Sequence, residues 1–435
     1  MNTAAYPKYD SYKDSGVEWI GEVPAGWHVE PGRQCLYENK DKNTGMKEST
    51  VLSLSYGRVI VKDEDKLTGL VPESFETYQI VQPGDIIIRG TDLQNDMTSL
   101  RTGLARDTGI ITSAYINLRP KAEIDPVFLH YLLHSYDVKK VFYALGSGLR
   151  QNLSYDDFKY LRLPIPSPEE QRAIAAFLDE KCAKVDEAVR IKEEQIALLR
   201  ERRQILIQQA VTRGLNPAAP MKDSGIDWIG QIPAHWVVVP IMAVGDVIDP
   251  NPSHRNPEYV EDGFPFISTQ EFRPDGTIEI DTPRRVSTKT VEEQEARCHF
   301  SQGSLVFSRK GTIGAVRILP SGVRLGILDS LCVINPKKRV DPEFLYWSLS
   351  SDYLAAQYGP TLRGAALPQL SVGRVRSLKI ILPPKSEQPS LVEHIAREAG
   401  KVDSAIRLKE EQIAALKEYK TSLINAAVTG KIKVS

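Results

Sequence analysis

The chain has 435 residues, 41% apolar and 26% charged, enough for two or more domains with their own cores and balanced like an ordinary soluble protein. Its 55 Lys and Arg against 56 Asp and Glu give a net charge of −1, which excludes a uniformly basic nucleic-acid surface and leaves only local positive fields. No apolar run reaches a membrane span, residues 1–8 carry no signal-peptide pattern, and the scattered Cys35, Cys182, Cys298 and Cys332 read as reduced thiols in a cytoplasm, not as a zinc knuckle or disulfide frame.

In chain order, residues 1–165 read as a first insert of mixed α and β character behind a leader motif. Short β-like runs fall at 50–54, 59–61, 86–88 and 110–118, bounded by Gly, Pro and Asp. Asp125-Pro126 then opens a helical patch over 125–133, with Asp as N-cap and Pro at the first helical position. Residues 166–213 predict one long helix, introduced by a proline-bearing stretch with Ser167 as N-cap and acids in the first turn. Residues 214–220, rich in Gly and Pro, are a linker. The second insert, 221–385, has β-like runs at 264–268, 277–280, 305–307, 315–319 and 331–334, then a helical patch opened by Asp341-Pro342. Residues 386–435 predict the second long helix, with Ser386 as N-cap.

Two echoes organise these elements. Lys13-Asp14-Ser15-Gly16-x-x-Trp19-Ile20-Gly21-x-x-Pro24-x-x-Trp27 returns as Lys222-Asp223-Ser224-Gly225-x-x-Trp228-Ile229-Gly230-x-x-Pro233-x-x-Trp236. Lys192-Glu193-Glu194-Gln195-Ile196-Ala197 returns as Lys409-Glu410-Glu411-Gln412-Ile413-Ala414. Between the echoes the halves barely match, so a repeated frame holds two different inserts. On each long helix the apolar positions follow an a/d seam: Leu178, Val185, Val189, Ile196, Leu199, Leu206 and Ala210, then Ile395, Val402, Ile406, Ile413, Leu416, Leu423 and Ala427. Bases interrupt both seams at equivalent places, Lys192 and Lys409, then Arg203 and Lys420. Matched seams in one chain predict that the helices pack on each other; the rival arrangement packs each on its own insert.

The doubled motif, the Pro and Glu-Gln lead-in to each helix and the order of two variable and two repeated regions resemble the specificity subunits of type I restriction–modification systems over essentially the whole chain. The resemblance implies an α+β protein: two target-recognition domains joined by two long helices that pair as an intramolecular coiled coil, with internal pseudo-two-fold symmetry. Each domain would read one half of a bipartite double-stranded DNA target. The helices would act as a ruler and as docking surface for two methyltransferase subunits, and added restriction subunits would cut unmodified DNA. Chemistry would sit on those partners, with S-adenosylmethionine on the methyltransferase and ATP and magnesium on the nuclease. No cofactor, metal or membrane contact is expected of this chain.

The residues agree with a non-catalytic role. There is no Asn/Asp-Pro-Pro-Tyr/Phe motif; Asp249-Pro250-Asn251-Pro252 has the wrong spacing and reads as a turn. No phosphate-binding Gly-Lys loop is present, and Gly146-Ser147-Gly148 is too little for a nucleotide fingerprint. His130 and His134 have zinc-ligand spacing but read as a partly exposed helix face; Cys298-His299 reads as structural.

Candidate DNA contacts lie on two polar loops per insert, because base and phosphate recognition needs Arg, Lys, amides and hydroxyls that reach a groove or backbone. In the first insert they are Arg89, Thr91, Asn95 and Arg101, then Arg150, Gln151 and Asn152. In the second they are Arg309, Lys310 and Thr312, then Arg363, Gln369, Arg374 and Arg376, within an acid-free basic stretch at 359–385. Arg89 and Arg309, each ending a strand, rank first. Trp19, Trp27, Trp228 and Trp236 read as packing residues rather than base-stackers. Two rivals stand beside the DNA reader. One is a coiled-coil scaffold or adaptor without DNA readout, which the near-neutral charge favours slightly and the acid-free basic stretch at 359–385 disfavours. The other is a stand-alone DNA methyltransferase, which the absent motifs disfavour.

Overall fold

A computed structural model describes residues 6–63, 74–96, 98–145, 152–251, 257–300, 302–362 and 368–434. Contacts divide the chain into two compact units, residues 1–193 with 410–435, and residues 194–409. The division runs through both long helices rather than at their ends. The reason lies in what each helix half buries. Ile174, Ala175, Leu178 and Cys182 of the first helix and Leu423, Ile424, Ala427 and Val428 of the second join the core of the first unit. Ile207, Ala210 and Val211, with Leu391 and Ile395, join the core of the second.

The first unit is built on an antiparallel sheet of β1 (Leu36–Glu38), β2 (Ile86–Ile88), β3 (Thr102–Leu104) and β4 (Ile116–Pro120), ordered β1-β4-β2-β3. Strand alternation gives β2 two apolar faces. Ile86 and Ile88 pack toward the helices, while Ile87 packs with Leu52, Val81 and Ile111 on the other side. The run read as one strand at 110–118 is two, Gly109–Ile111 and Ile116–Pro120, because a turn bonds Tyr115 N to Thr112 O. Helix Pro126–Val138 covers the sheet through Phe128, Leu129, Leu132 and Leu133, and Asp125 caps it by accepting from Phe128 N at 2.9 Å.

The second unit repeats that plan with β5 (Gly245–Ile248), β6 (Leu305–Ser308), β7 (Val316–Ile318) and β8 (Leu331–Pro336), ordered β5-β8-β6-β7. Leu305 and Phe307 face one core and Val306 the other. Its covering helix, Pro342–Leu349, is capped by Asp341. The strand expected at 264–268 runs over Tyr259–Ile267, and the 277–280 run forms only an isolated bridge between Phe272 and Ile278.

The long helices are Pro168–Arg213, 46 residues, and Gln388–Val428, 41 residues. Ser167 caps the first, accepting from Glu170 N at 3.3 Å. Ser386 does not cap the second; its first turn closes instead on the Glu387 carbonyl, which accepts from Leu391 N. Each helix is followed by a glycine in the left-handed region, Gly214 at φ 72° and Gly430 at φ 70°, the conformation that ends helices most readily at glycine. The second helix therefore stops short of 435, and Lys433 N bonds Pro7 O at 2.7 Å.

The two helices pair. Of the seam residues, Leu178, Val185, Ile196, Ala210, Ile395, Val402, Leu423 and Ala427 are buried, and Val189, Leu199, Leu206, Ile406, Ile413 and Leu416 are half-buried. Three of the four bases on the seam, Lys192, Arg203 and Lys420, bond across it. In the first unit Lys420 Nζ donates to Asp186 at 2.7 and 2.8 Å, and Lys192 Nζ to Gln412 Oε1 at 2.7 Å. A rise from 186 to 192 meets a fall from 420 to 412, so the pair is antiparallel there. In the second unit the Arg203 guanidinium lies 2.8 Å from the Asp403 carboxylate. Polar seam pairs of this kind fix register. Among the described residues no helix is long and apolar enough to cross a membrane.

Candidate nucleic-acid interface

In the first unit the polar loop between β2 and β3, residues 89–101, is moulded around a buried cation. Arg101 is 0% exposed. Its Nε donates to the Tyr143 hydroxyl at 3.1 Å, Nη1 to the carbonyls of Arg89 and Thr91 at 3.2 and 2.8 Å, and Nη2 to those of Asp92 and Asp96 at 3.3 and 2.5 Å. Its backbone N donates to Asp137 Oδ2 at 2.6 Å. A guanidinium has a planar fork of N–H donors, and a buried charge must be hydrogen-bonded; the loop supplies the acceptors. The expectation that Arg101 touches DNA is corrected on that ground. The outward side chains are Arg89, half-exposed with Nη1 3.5 Å from Asp96, half-buried Thr91, and exposed Asn95, whose Nδ2 donates to Asp92 Oδ1. Exposed Asn152 joins them, its Oδ1 accepting from Asp92 N at 3.0 Å. Arg150 and Gln151 lie outside the described residues.

In the second unit the brace is Arg309. Its side chain is 6% exposed, against the expectation that it leads the DNA contacts. Nη2 donates to Asp249 Oδ2 at 2.9 Å and to the Asp329 carbonyl at 2.8 Å, and Nη1 to the Leu370 carbonyl at 3.3 Å. Asp249, read from the sequence only as part of a turn, is thus the anion that neutralises this cation. Lys310 Nζ donates to Asp329 Oδ2 at 2.6 Å, and Lys310 bridges Gln369. An open concavity of 680 Å³ is lined by Asp249, Arg309, Lys310, Gln369, Ser371 and Arg374. Gln369, Thr312, Arg374 and Arg376 are exposed. Arg374 also donates to Gln357 O at 2.9 Å, and Arg376 twice to Val247 O at 3.0 and 2.7 Å, so part of each guanidinium is engaged in tying its short helix down. Arg363 lies outside the described residues.

The other singled-out residues are placed as follows. Trp27 and Trp236 are buried anchors, each donating from Nε1 to a glutamate at a helix start, Glu170 at 3.1 Å and Glu387 at 3.0 Å. Trp19 is 41% exposed but packs edge-on against Tyr136, with ring centroids 6.5 Å apart, whereas Trp228 is 53% exposed. His130 and His134 are half-buried, but His130 Nε2 and His134 Nδ1 are sealed from solvent and have no hydrogen-bond partner among the described residues. Burial pushes His130 down to about 3, aided by the nearby His134 and Arg106, and His134 down to about 4, aided by Lys420. Among the described residues no three His, Cys, Asp or Glu are grouped to hold a metal. Cys298 is buried in a core.

A family model described as the type I restriction modification DNA specificity domain matches residues 83–199 and 233–418. A Methanocaldococcus jannaschii protein, provisionally named the MjaX type I restriction enzyme specificity subunit, is 24% identical over 95% of this chain and 96% of its own. The MjaVIII specificity subunit of the same organism is 23% identical over 75% of each chain. A chain solved in work on complex assembly and conformational transition of the type I R-M system superposes with a TM-score of 0.66 over 93% of this chain and 98% of its own, at 19% identity.

Proposed function

The chain belongs to the type I restriction–modification DNA specificity family, and from that premise we propose that each unit reads one half of a bipartite double-stranded DNA target. The observation that carries this reading is one sheet order supporting two unlike polar surfaces: the 89–101 loop with Arg89, Thr91 and Asn95 in one unit, and in the other exposed Thr312 with Lys310 and Gln369, which line an open concavity. A shared scaffold with different exposed donors and acceptors is what two different base sequences require. The chain itself is non-catalytic. Methyl transfer and cleavage belong to methyltransferase and restriction subunits, which carry S-adenosylmethionine, ATP and magnesium. The methyltransferase subunits dock on the long helices, where Leu198, Ile205 and Leu408 leave large apolar side chains 65%, 48% and 53% exposed outside the filled seam.

Exchanging residues 28–160 for the insert of a relative tests this reading. Sequencing the adenine methylation deposited by the assembled complex should show one half of the motif changed and the other kept. A motif that is unchanged returns the chain to the scaffold class, and one changed in both halves denies independent readers.

A further inference from the structure

The strands Leu52–Ser55 and Arg58–Val61 form a hairpin that turns at Tyr56 and Gly57. Both residues have positive φ, 47° and 77°, the conformation of a type I′ turn, whose first central position favours Asn, Asp or Gly. A bulky aromatic there carries backbone strain. Nothing local offsets that strain, for Tyr56 is 96% exposed and makes no hydrogen bond or ring contact with a described residue. A strained residue that packs on nothing points to something outside the fold.

The surroundings say what. The hairpin lies on β3: a Cβ added to Gly103 would meet Leu54 and Val59. Its tip lies on the 89–101 loop, where a Cβ on Gly57 would come within 2.9 Å of Leu100. The ring therefore stands beside the loop that presents Arg89 and Asn95. Leu100 and Ile60 leave partly exposed apolar surface around it. Arg58 follows the turn with its side chain 75% exposed and only a 3.7 Å approach to Asp186. An aromatic face with a loosely held cation, next to amide and guanidinium donors, matches nucleic acid: rings rest on bases or sugars, cations on phosphates.

We propose that Tyr56 lays its ring against the target DNA at the half-site read by the first unit, with Arg58 on a neighbouring phosphate. This rests on the DNA-reading function above. The test uses the full chain assembled with its methyltransferase subunits and a duplex carrying the adenine motif that the complex methylates. Tyr56→Asn suits the turn, so the melting temperature should stay level or rise, while affinity for the duplex falls about tenfold. The salt dependence of binding should keep its slope, because the ring carries no charge, whereas Arg58→Ala should make it shallower. Tyr56→Trp should retain affinity. A wild-type complex that prefers its motif and a Tyr56→Asn variant that binds it equally well overturn this proposal alone. A Tyr56→Asn chain that no longer assembles with the methyltransferase in the absence of DNA assigns the ring to a protein contact and also overturns it. A wild-type complex with no preference for any duplex removes the DNA-reading function, and this proposal with it.

Discussion

Arg89 and Arg309 occupy equivalent places, each directly after the second strand of its sheet, yet only Arg309 is the internal brace. In the first unit that work falls to Arg101, which enters from the far end of the loop, just before β3. The braces also differ in chemistry. Among the described residues, Arg101 donates to four backbone carbonyls and a phenol, with no carboxylate on its guanidinium, whereas Arg309 donates to Asp249 and two carbonyls and its Nε has no partner. The longer loop, 89–101, wraps its own cation, whereas the shorter turn after β6 uses its cation to hold more distant segments at 249, 329 and 370. A shared scaffold thus fixes where the polar loop after the second strand begins, not which of its residues points outward.

The largest expected effect follows from that contrast. Arg101→Met leaves buried carbonyls without donors, each costing about 1–3 kcal/mol where water cannot replace the bond. We expect a loss on the order of 3 kcal/mol, seen as faster hydrogen exchange over 89–101 and a lower melting temperature. Arg309→Met leaves Asp249, whose side chain is 18% exposed and so partly hydrated; its loss should be nearer 2 kcal/mol. A larger loss at 309 than at 101 would mean that the carboxylate, rather than the number of carbonyls, dominates the brace.

Acid should separate the units next. His130 and His134 sit on the helix that covers the first sheet; the corresponding positions after Asp341-Pro342 are Tyr346 and Ser350. Both histidines have folded values, about 3 and about 4, below the ordinary 6.5. The unfolded chain therefore takes up protons as pH falls through 6.5, while the folded chain stays neutral until 4 or below. Their contribution is intact above pH 6.5 and is lost on the way down. At pH 5.5 the loss is about 1.4 kcal/mol for each histidine. Hydrogen exchange at pH 7.5 and 5.5, corrected for intrinsic rates, should show weakened protection in the first unit and little change in the second. His130→Tyr should reduce the difference; equal sensitivity of both units would detach it from these residues.

Much of this architecture is legible in the sequence because repetition marks it. The seam residues, the Asp-Pro caps and the lead-in to each helix recur, and periodicity or capping chemistry explains each one. The inserts are less legible for definable reasons. Strand order depends on which distant runs pair, and nothing near Leu36 or Gly245 announces β4 or β8 as its neighbour. Residues 110–118 read as one strand because β-branched and apolar residues flank the Thr112–Tyr115 turn on both sides. Arg101, Arg309 and Asp249 have the composition of surface loops, and only tertiary contact shows that they face inward. Tyr56 carries no turn signal of its own; only Gly57 beside it does.

The smallest effect tests the repeated frame itself. Trp27→Phe and Trp236→Phe keep a buried ring and delete one hydrogen bond each, to Glu170 and Glu387. A hydrogen bond to a carboxylate that keeps another partner is worth about 1 kcal/mol net. The second donor differs: the Tyr9 hydroxyl serves Glu170 at 2.5 Å, and His235 Nε2 lies 2.7 Å from Glu387 Oε1. If the indole is the common anchor, the two variants should lose equal stability to within about 0.5 kcal/mol, read from hydrogen exchange in the unit that each tryptophan serves. A gap above about 1 kcal/mol would place the anchoring in the non-repeated partner, Tyr9 or His235. The repeated motif would then conserve a ring's position without conserving what holds it.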